Sequence, residues 1–277
     1  MEGEQLAYEI RRAIVDESMR AGVGHIGSAL SIADLLAALY GGVLRIGEVR
    51  EAQRDRLVLS KGHAALALYA ALAATGRMDR ELLSTYCGDG SMLGAHPEHV
   101  LPGVDFSTGS LGQGLSIAAG AALAAQRQRS ARRAFVVMSD AEMNEGSIWE
   151  AAMFAAHHRL SNLIVLVDVN GQQALGYTRE VMDPGPPPRD RWTAFGWDVH
   201  EVEGHDPSGI AGLIGELDVQ GGPPHVLLAE TVFGRGVSFM ESQIEWHYLP
   251  LEAETHRQAV TELEAGVGGP AATPGAA

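Results

Sequence analysis

The chain has 277 residues, of which 46% are hydrophobic and 20% are charged, a balance typical of a globular protein with a large core. Its formal net charge of −15 argues against nonspecific nucleic-acid binding, which needs a basic face. No apolar run reaches the roughly 18 residues of a membrane span, and the N-terminal segment lacks a signal-peptide core. The single cysteine, Cys87, fits a reducing compartment. We therefore expect a cytoplasmic protein with no nucleic-acid or membrane partner.

The first half of the chain predicts four helices and one short strand. The predicted helices cover residues 4–20, 32–40, 63–76 and 111–129. Ser31 is placed to cap the second helix, which stops at Gly41-Gly42, and an apolar run at 56–60 predicts the strand. Residues 84–110 are rich in Gly, Pro, Ser and His without periodicity, which indicates a functional loop.

The second half alternates strands with helices. Strands are predicted at 134–138, 162–169, 197–203 and 225–232, and helices at 145–158 and 207–218. This alternation predicts an α/β fold with a doubly wound, mostly parallel sheet flanked by helices. We expect one domain over residues 1–264 and a disordered Gly/Pro/Ala tail over 265–277.

Two glycine motifs resemble phosphate-binding sequences. Neither follows a predicted strand, so we do not interpret either as a phosphate-binding loop. Gly22–Gly27 matches G-x-G-x-x-G, but a charged helix precedes it where the dinucleotide fingerprint needs a strand. Gly88-Asp89-Gly90 lies in the irregular loop with no strand before it, which favours a surface turn.

Asp140 and Asn170 each follow a predicted strand, and one crossover helix separates the two strands. Because ligands bind at the carboxyl ends of parallel strands, we expect the two side chains to be neighbours at a binding site. Carboxylate and amide oxygens suit Mg²⁺ or Ca²⁺ rather than zinc, and a magnesium ion held by two protein groups keeps positions open for phosphate oxygens. The alternative is structural: Asp140 caps the next helix and Asn170 forms a turn.

Six segments carry a resemblance to a known family. In chain order they are GHIGSALSIADLL, DRLVLSKGHAALALYAALAATG, GAHPE, TGSLGQGLSIAAGAALA, SDAEMNEGSIWEAAMFAAHHRLSNLIVLVDVNG and VFGRGVSFMESQIEWH. The fifth resembles the thiamine-diphosphate signature, in which G-D-G is followed by a helix, a strand and an asparagine. The chain as a whole resembles the N-terminal, diphosphate-binding part of transketolases.

The resemblance implies a role for each matching residue. Asp140, Asn170 and the backbone carbonyl of Gln172 would hold a Mg²⁺ or Ca²⁺ ion on the diphosphate of thiamine diphosphate. The other implied cofactor contacts are His63, Gly109, Ser110, Leu111, Ser139, Ala141, Glu142 and His247. The implied catalytic set is His25, His63, His96, His247 and Glu145. In that set His25 and His96 would line the channel to the reacting carbon, and Glu145 would join a carboxylate network where two protomers meet.

Imidazole titrates near neutral pH, so these histidines suit proton transfer, although a solvated loop histidine is the ordinary alternative for each. Lys61 is the only lysine, so Schiff-base chemistry would rest on it alone.

Two departures from the transketolase pattern matter. Ser139-Asp140-Ala141 replaces the usual Gly-Asp-Gly, and the chain stops where the pyrimidine-binding domain of a transketolase would begin. We therefore expect one subunit of a split, α2β2 transketolase-like enzyme that moves a two-carbon ketol unit from a ketose or α-hydroxyketone to an aldehyde. The separately encoded partner would be the C-terminal, pyrimidine-binding subunit. Two alternatives remain: a degenerate, non-catalytic binding subunit, or a subunit of a 2-oxo acid decarboxylase or acyl-transfer enzyme.

Overall fold

A computed structural model of the chain describes residues 3–47, 53–182 and 184–266. Five parallel strands form the central sheet in the order β1-β2-β3-β7-β6. Their bounds are β1 Arg56–Leu59, β2 Ala134–Ser139, β3 Leu163–Val169, β6 Asp198–Glu203 and β7 His225–Glu230. A short antiparallel hairpin, β4 Gln172–Gln173 and β5 Gly176–Tyr177, follows β3. The predicted parallel α/β fold is confirmed.

Helices cover both faces of this sheet. Those before β2 are α1 Gly3–Ala21, α2 Ile26–Ser31, α3 Ala33–Ala38, α4 Ala65–Ala74, α5 Arg80–Leu83 and α6 Gly114–Arg127. Those after it are α7 Gly146–His157, α8 Thr178–Val181, α9 Pro188–Ala194, α10 Pro207–Glu216 and α11 Ala253–Gly266. None of the helices in the described ranges combines the length and apolarity that a bilayer crossing needs.

The inner strands are buried on both faces, which explains why they read as uninterrupted apolar runs. Phe135 and Val137 of β2 face one core with α1, α3 and α4, whereas Val136 and Met138 face the other with α6 and α7. The second core also contains two buried tryptophans, Trp192 and Trp197. The sheet is thus a rigid support whose polar groups lie at the strand ends.

Three details differ from the sequence predictions. Ser31 does not cap a helix: it is the last residue of α2, and its hydroxyl donates to Asp168 instead. Helices α2, α5, α8, α9 and α11 have no counterpart among the predicted helices, and α11 passes the expected domain boundary by two residues, to Gly266. Residues 267–277, most of the predicted tail, lie outside the described residues.

Candidate active site

Asp140 and Asn170 lie side by side at the carboxyl edge of the sheet. The register between β2 and β3 pairs Ser139 with Asp168, and the Asp140 amide donates to the Asp168 carbonyl at 3.1 Å. The structure thus brings the two predicted ligands together, because adjacent parallel strands end at the same edge.

The Asp140 carboxylate is buried, and it accepts hydrogen bonds from uncharged groups, two backbone amides and one hydroxyl. Its Oδ1 accepts from the Ala141 amide at 2.8 Å, and Oδ2 accepts from the Gly171 amide at 3.0 Å and the Thr178 hydroxyl at 3.3 Å. Burial raises the pKa of Asp140 to about 7, and the neighbouring Asp168 carboxylate adds to the rise. Asp140 does cap the short 3₁₀ turn Ala141–Asn144, as the structural alternative required. A bound cation would nevertheless stabilise its ionised form.

A cavity of about 430 Å³ opens beside this carboxylate. Its polar lining includes Asp140, Asn144, Asn170, Gln172 and Thr178, and residues 184–188 form a proline-rich wall. Asn170 Oδ1 accepts from the Gln172 amide at 2.9 Å, while the side-chain oxygen of Gln172 is buried without a partner. The cavity therefore offers several hard oxygen donors, the ligand type that Mg²⁺ and Ca²⁺ prefer.

Lys61 lies next to the site, and the sequence pattern assigns it no place there. Its ammonium group lies 2.5 Å from Asp168 Oδ2 and 3.2 Å from the Ser28 carbonyl, and both charged side chains are fully buried. The other oxygen of Asp168 accepts from the hydroxyls of Ser31 and Thr231, each at 2.5 Å. Asp168 Oδ2 also accepts from Asn170 Nδ2 at 2.8 Å, so this network fixes the orientation of Asn170. The one sequence signal was that Lys61 is the only lysine.

Three of the predicted histidines form a cluster. The ring centroids of His25, His63 and His247 lie 5.3 to 5.5 Å apart, and the His25 amide donates to the His247 carbonyl at 3.0 Å. His63 Nε2 lies 2.8 Å from the Ser28 hydroxyl, whereas Nδ1 of His25 and of His247 is buried without a partner. His25 precedes α2, His63 follows β1 and His247 precedes α11. The three histidines are distant in sequence, and the fold brings them together.

Burial keeps these imidazoles neutral. It lowers the pKa of His25 and of His63, the latter to well below its ordinary value, and it lowers the pKa of His247 to about 4. The Lys61 ammonium group adds to the effect on His63, as would any neighbouring histidine that became protonated. The cluster can therefore accept a proton or a hydrogen bond from a hydroxyl group at neutral pH.

The remaining predicted contacts occupy the loop around residues 96–111. His96 is exposed, and a side chain at Gly109 would approach its ring to 3.3 Å. Ser110 and Leu111 are exposed, Leu111 to 36% of its surface. This loop lies open to solvent beside the histidines.

The two predicted glutamates differ sharply in environment. Glu142 is fully buried and accepts from the Ser60 hydroxyl and, at 2.7 Å, from the Gly112 amide, so it braces the neighbouring loop. Glu145 is exposed at the start of α7. Ser139 Oγ accepts from the Glu142 amide at 3.2 Å, and the Ala141 amide donates to Asp140. Replacing the two glycines of the signature thus leaves the aspartate in place.

The fold and this site define an α/β protein with a cavity and several oxygen donors at the carboxyl edge of its parallel sheet. Comparison with known proteins identifies the family. The model of the family described as "Transketolase, thiamine diphosphate binding domain" matches residues 3–267. The chain therefore belongs to the transketolase family, and it is a transketolase-like transferase subunit that contains the thiamine-diphosphate-binding domain. The predicted family and function class are confirmed.

Several relatives cover nearly the whole chain. The 6-deoxy-6-sulfo-D-fructose transketolase subunit SqwG of Clostridium sp. (strain MSTE9) is 43% identical over 261 residues, which are 93% of this chain and 94% of that one. An apulose-4-phosphate transketolase subunit of Phocaeicola vulgatus is 41% identical over 255 residues, 91% of this chain and 90% of that one. Among solved structures, the transketolase of Campylobacter jejuni matches with a TM-score of 0.87 at 27% identity. That match covers 95% of this chain but only 43% of the Campylobacter protein.

Proposed function

We propose that this chain is the diphosphate-binding half of a two-chain transketolase. Its partner would be a separately encoded C-terminal, pyrimidine-binding subunit, and the assembly would contain two copies of each chain. Two relatives are named as transketolase subunits, which supports this division, as does the match to only part of the Campylobacter transketolase.

The metal ligands would be Asp140, Asn170 and the backbone carbonyl of Gln172, with Mg²⁺ the preferred ion and Ca²⁺ a substitute. The observation that carries this assignment is a buried carboxylate, with its pKa raised to about 7, among the oxygen donors on the wall of a 430 Å³ cavity. A divalent cation on the diphosphate would offset the cost of burying Asp140 as an anion. Asp168 is not a ligand in this proposal, because Lys61 and two hydroxyls already occupy it.

The bound thiamine diphosphate supplies a carbanion equivalent that breaks and forms carbon–carbon bonds. The protein binds and orients the reactants around it. Neutral His25, His63 and His247 would accept hydrogen bonds or protons from substrate hydroxyls, and His96 would do so from the open side. Burial of this cluster also limits the access of water to the reacting groups.

We propose a ketose with a terminal anionic group as the donor and an aldehyde as the acceptor. The names of the two subunit relatives support this class, since they refer to a sulfonated and a phosphorylated sugar. The partner subunit would bind the anionic end of the ketose, because it would form the other wall of the active site.

The decisive experiment reconstitutes the chain with its partner and assays two reactions, ketol transfer and carbon dioxide release from 2-oxo acids. We expect ketol transfer that depends on Mg²⁺ and thiamine diphosphate. Asp140→Ala should abolish the metal-dependent binding of cofactor, whereas Asp89→Ala, at an exposed turn, should change it by less than about twofold. Carbon dioxide release without ketol transfer would establish the decarboxylase alternative, and unchanged binding by Asp140→Ala would place the metal elsewhere.

A further inference from the structure

A second cluster of metal-ligand side chains lies at the opposite, amino-terminal edge of the sheet. Asp198 is the first residue of edge strand β6, and it pairs with His225, the first residue of β7. Side chains two positions apart on a strand share a face, so His200 lies on the same face as Asp198. Strand pairing thus brings together one carboxylate and two imidazoles, far along the strands from the cofactor cavity.

The donor atoms converge on one point. Asp198 Oδ2 lies 3.0 Å from His225 Nδ1 and 3.1 Å from His200 Nε2, and the three donor atoms all lie within 4.8 Å of one another. Ligands of a tetrahedral ion with bonds of about 2.0–2.1 Å are spaced about 3.3 Å apart. The two separations that involve Asp198 are close to this spacing, and the two imidazole nitrogens are near enough to share one ion with it.

The tautomer of His225 supports the same conclusion. Its Nε2 lies 3.1 Å from the Asp218 carbonyl, which can only accept, so the proton is on Nε2. With Nδ1 unprotonated, its lone pair and Asp198 Oδ2 are both available to bind one cation; with Nδ1 protonated, the ring donates to Asp198 instead, and the zinc titration below separates the two states. A metal-bound histidine typically has this arrangement, with its second ring nitrogen donating to a backbone carbonyl.

We propose that Asp198, His200 and His225 bind one zinc-class divalent transition-metal ion. Imidazole and carboxylate ligands suit zinc, and three protein ligands leave one position for water. His225 is 3% exposed and anchors the site, whereas Asp198 and His200, at 45% and 24%, leave it open to solvent. The ion joins edge strand β6 to β7 and, through Asp218, to the connection after α10, so it stabilises the edge of the sheet and has no part in ketol transfer.

The test uses the untagged full chain, stripped with a chelator and kept in excess Mg²⁺ to occupy hard oxygen sites. Titration with ZnCl₂ by calorimetry should show one equivalent bound, with a rise in the melting temperature that grows with zinc concentration. His200→Ala and Asp198→Asn, both at partly exposed positions, should weaken zinc binding by tenfold or more. Co²⁺ should give the visible absorption of a tetrahedral site in the wild type and lose it in both variants.

Two controls separate this site from others. A His157→Ala/His158→Ala variant removes a histidine pair at the C-terminal end of α7, whose rings are 4.9 Å apart, and should bind zinc as the wild type does. Asp140→Ala should also retain zinc binding, because that residue lies at the other edge. Absence of a stoichiometric zinc site in the wild type would overturn the proposal and leave a proton-mediated His–Asp contact. Equal zinc affinity in wild type and His200→Ala would overturn it as well.

Discussion

The ammonium group of Lys61 lies 2.5 Å from the carboxylate of Asp168, and both side chains are completely buried. The same carboxylate accepts from Ser31, Thr231 and Asn170. One ion pair therefore connects α2, the end of β1, the end of β3 and the segment after β7. Because Asn170 belongs to this network, the ion pair also holds one edge of the proposed metal site.

We predict that Lys61→Met lowers the free energy of unfolding by about 3–5 kcal/mol, since it leaves the Asp168 carboxylate buried and unpaired. Urea denaturation of the folded chain measures the change. Lys61→Met/Asp168→Leu should recover part of the loss, because no charge is then buried alone. Arg189→Ala, which breaks the exposed pair with Glu201, is the control and should change stability by less than about 0.5 kcal/mol. A loss below about 1 kcal/mol for Lys61→Met would contradict the structure.

Gly24 packs against the backbone of Tyr248, next to the histidine cluster. We therefore expect stability to be sensitive to any side chain at Gly24. A Cβ atom there would lie 2.4 Å from the Tyr248 carbonyl oxygen and 2.8 Å from its carbon. Gly24→Ala must displace the segment that carries His247, so we expect a loss of about 1–3 kcal/mol and reduced activity. Gly120→Ala, in helix α6 with no atom within 4 Å of the new Cβ, should instead stabilise the protein by about 0.5–1 kcal/mol. Equal effects of the two substitutions would show that the contact at Gly24 is absent.

The pKa of His247 predicts a pH dependence of stability. In the folded chain this pKa is about 4, against 6.5 for the free group, so between those values the unfolded state binds the extra proton. The free energy of unfolding should therefore fall as the pH drops from about 6.5 toward 4, by up to about 1.4 kcal/mol per pH unit for one histidine. The contribution is fully present above 6.5.

Comparison with His247→Gln isolates this contribution. The Asp140 carboxyl, with a pKa raised to about 7, acts in the opposite direction, and it is present in both proteins. On going from pH 7.5 to 5.5, the wild type should therefore lose more stability, or gain less, than the variant, as measured by the signed shift of the urea midpoint. A variant that is equally sensitive to pH would show that His247 is not buried as a neutral ring.

The parallel pairing of the strands and the adjacency of Asp140 and Asn170 follow from the sequence, whereas the order of the strands in the sheet was not predicted. Apolar runs buried on both faces mark β2, β3 and β7 clearly, and each strand end carries its polar residue. Lys61 could not be paired with Asp168, because they are 107 positions apart and nothing in their spacing records the contact. The Asp198–His200–His225 cluster depends on the register of β6 against β7, which turn chemistry and distant packing decide. Ser31 is a similar case. The local sequence predicts a helix cap, but its hydroxyl donates to the buried carboxylate of Asp168 on β3, a contact that local sequence does not predict.

If the clustered histidines accept protons, replacing His25 should lower kcat, whereas replacing His99 should not. His25→Ala should lower kcat of the assembled enzyme by about 10²–10⁴-fold, because it removes a neutral imidazole from the buried cluster. His99→Ala, at an exposed position bonded to Ser107, should leave kcat within about twofold. Steady-state kinetics with saturating cofactor measures both. A His25 variant with wild-type kcat would place the proton transfer on other groups.

The last prediction concerns the chain without a partner. Apolar side chains lie exposed around the cavity and the histidine cluster: Leu111, Leu175, Tyr177, Met182, Tyr248 and Leu249 are exposed by 36% to 83%. Tyr177 and Met182 line the cavity itself, and the Tyr248 ring lies 5.0 Å from that of His247. Apolar surface concentrated around a site is typical of an interface, so a second subunit is expected to cover it.

The chemistry of the described carboxylates points the same way. Neither of the two glutamates that the resemblance places near the cofactor offers a free carboxylate inside the site: Glu142 is bonded to Ser60 and Gly112, and Glu145 is exposed at the start of α7. We therefore expect the purified chain, supplied with Mg²⁺ and thiamine diphosphate, to show no ketol transfer with any pair of ketose and aldehyde. Adding the pyrimidine-binding subunit should restore turnover and tighten cofactor binding. Leu175→Asp, at the most exposed of these apolar positions, should weaken assembly, whereas Met153→Asp, exposed on α7, should not. Robust turnover by the single chain would refute the two-chain proposal, because every required group would then lie within it.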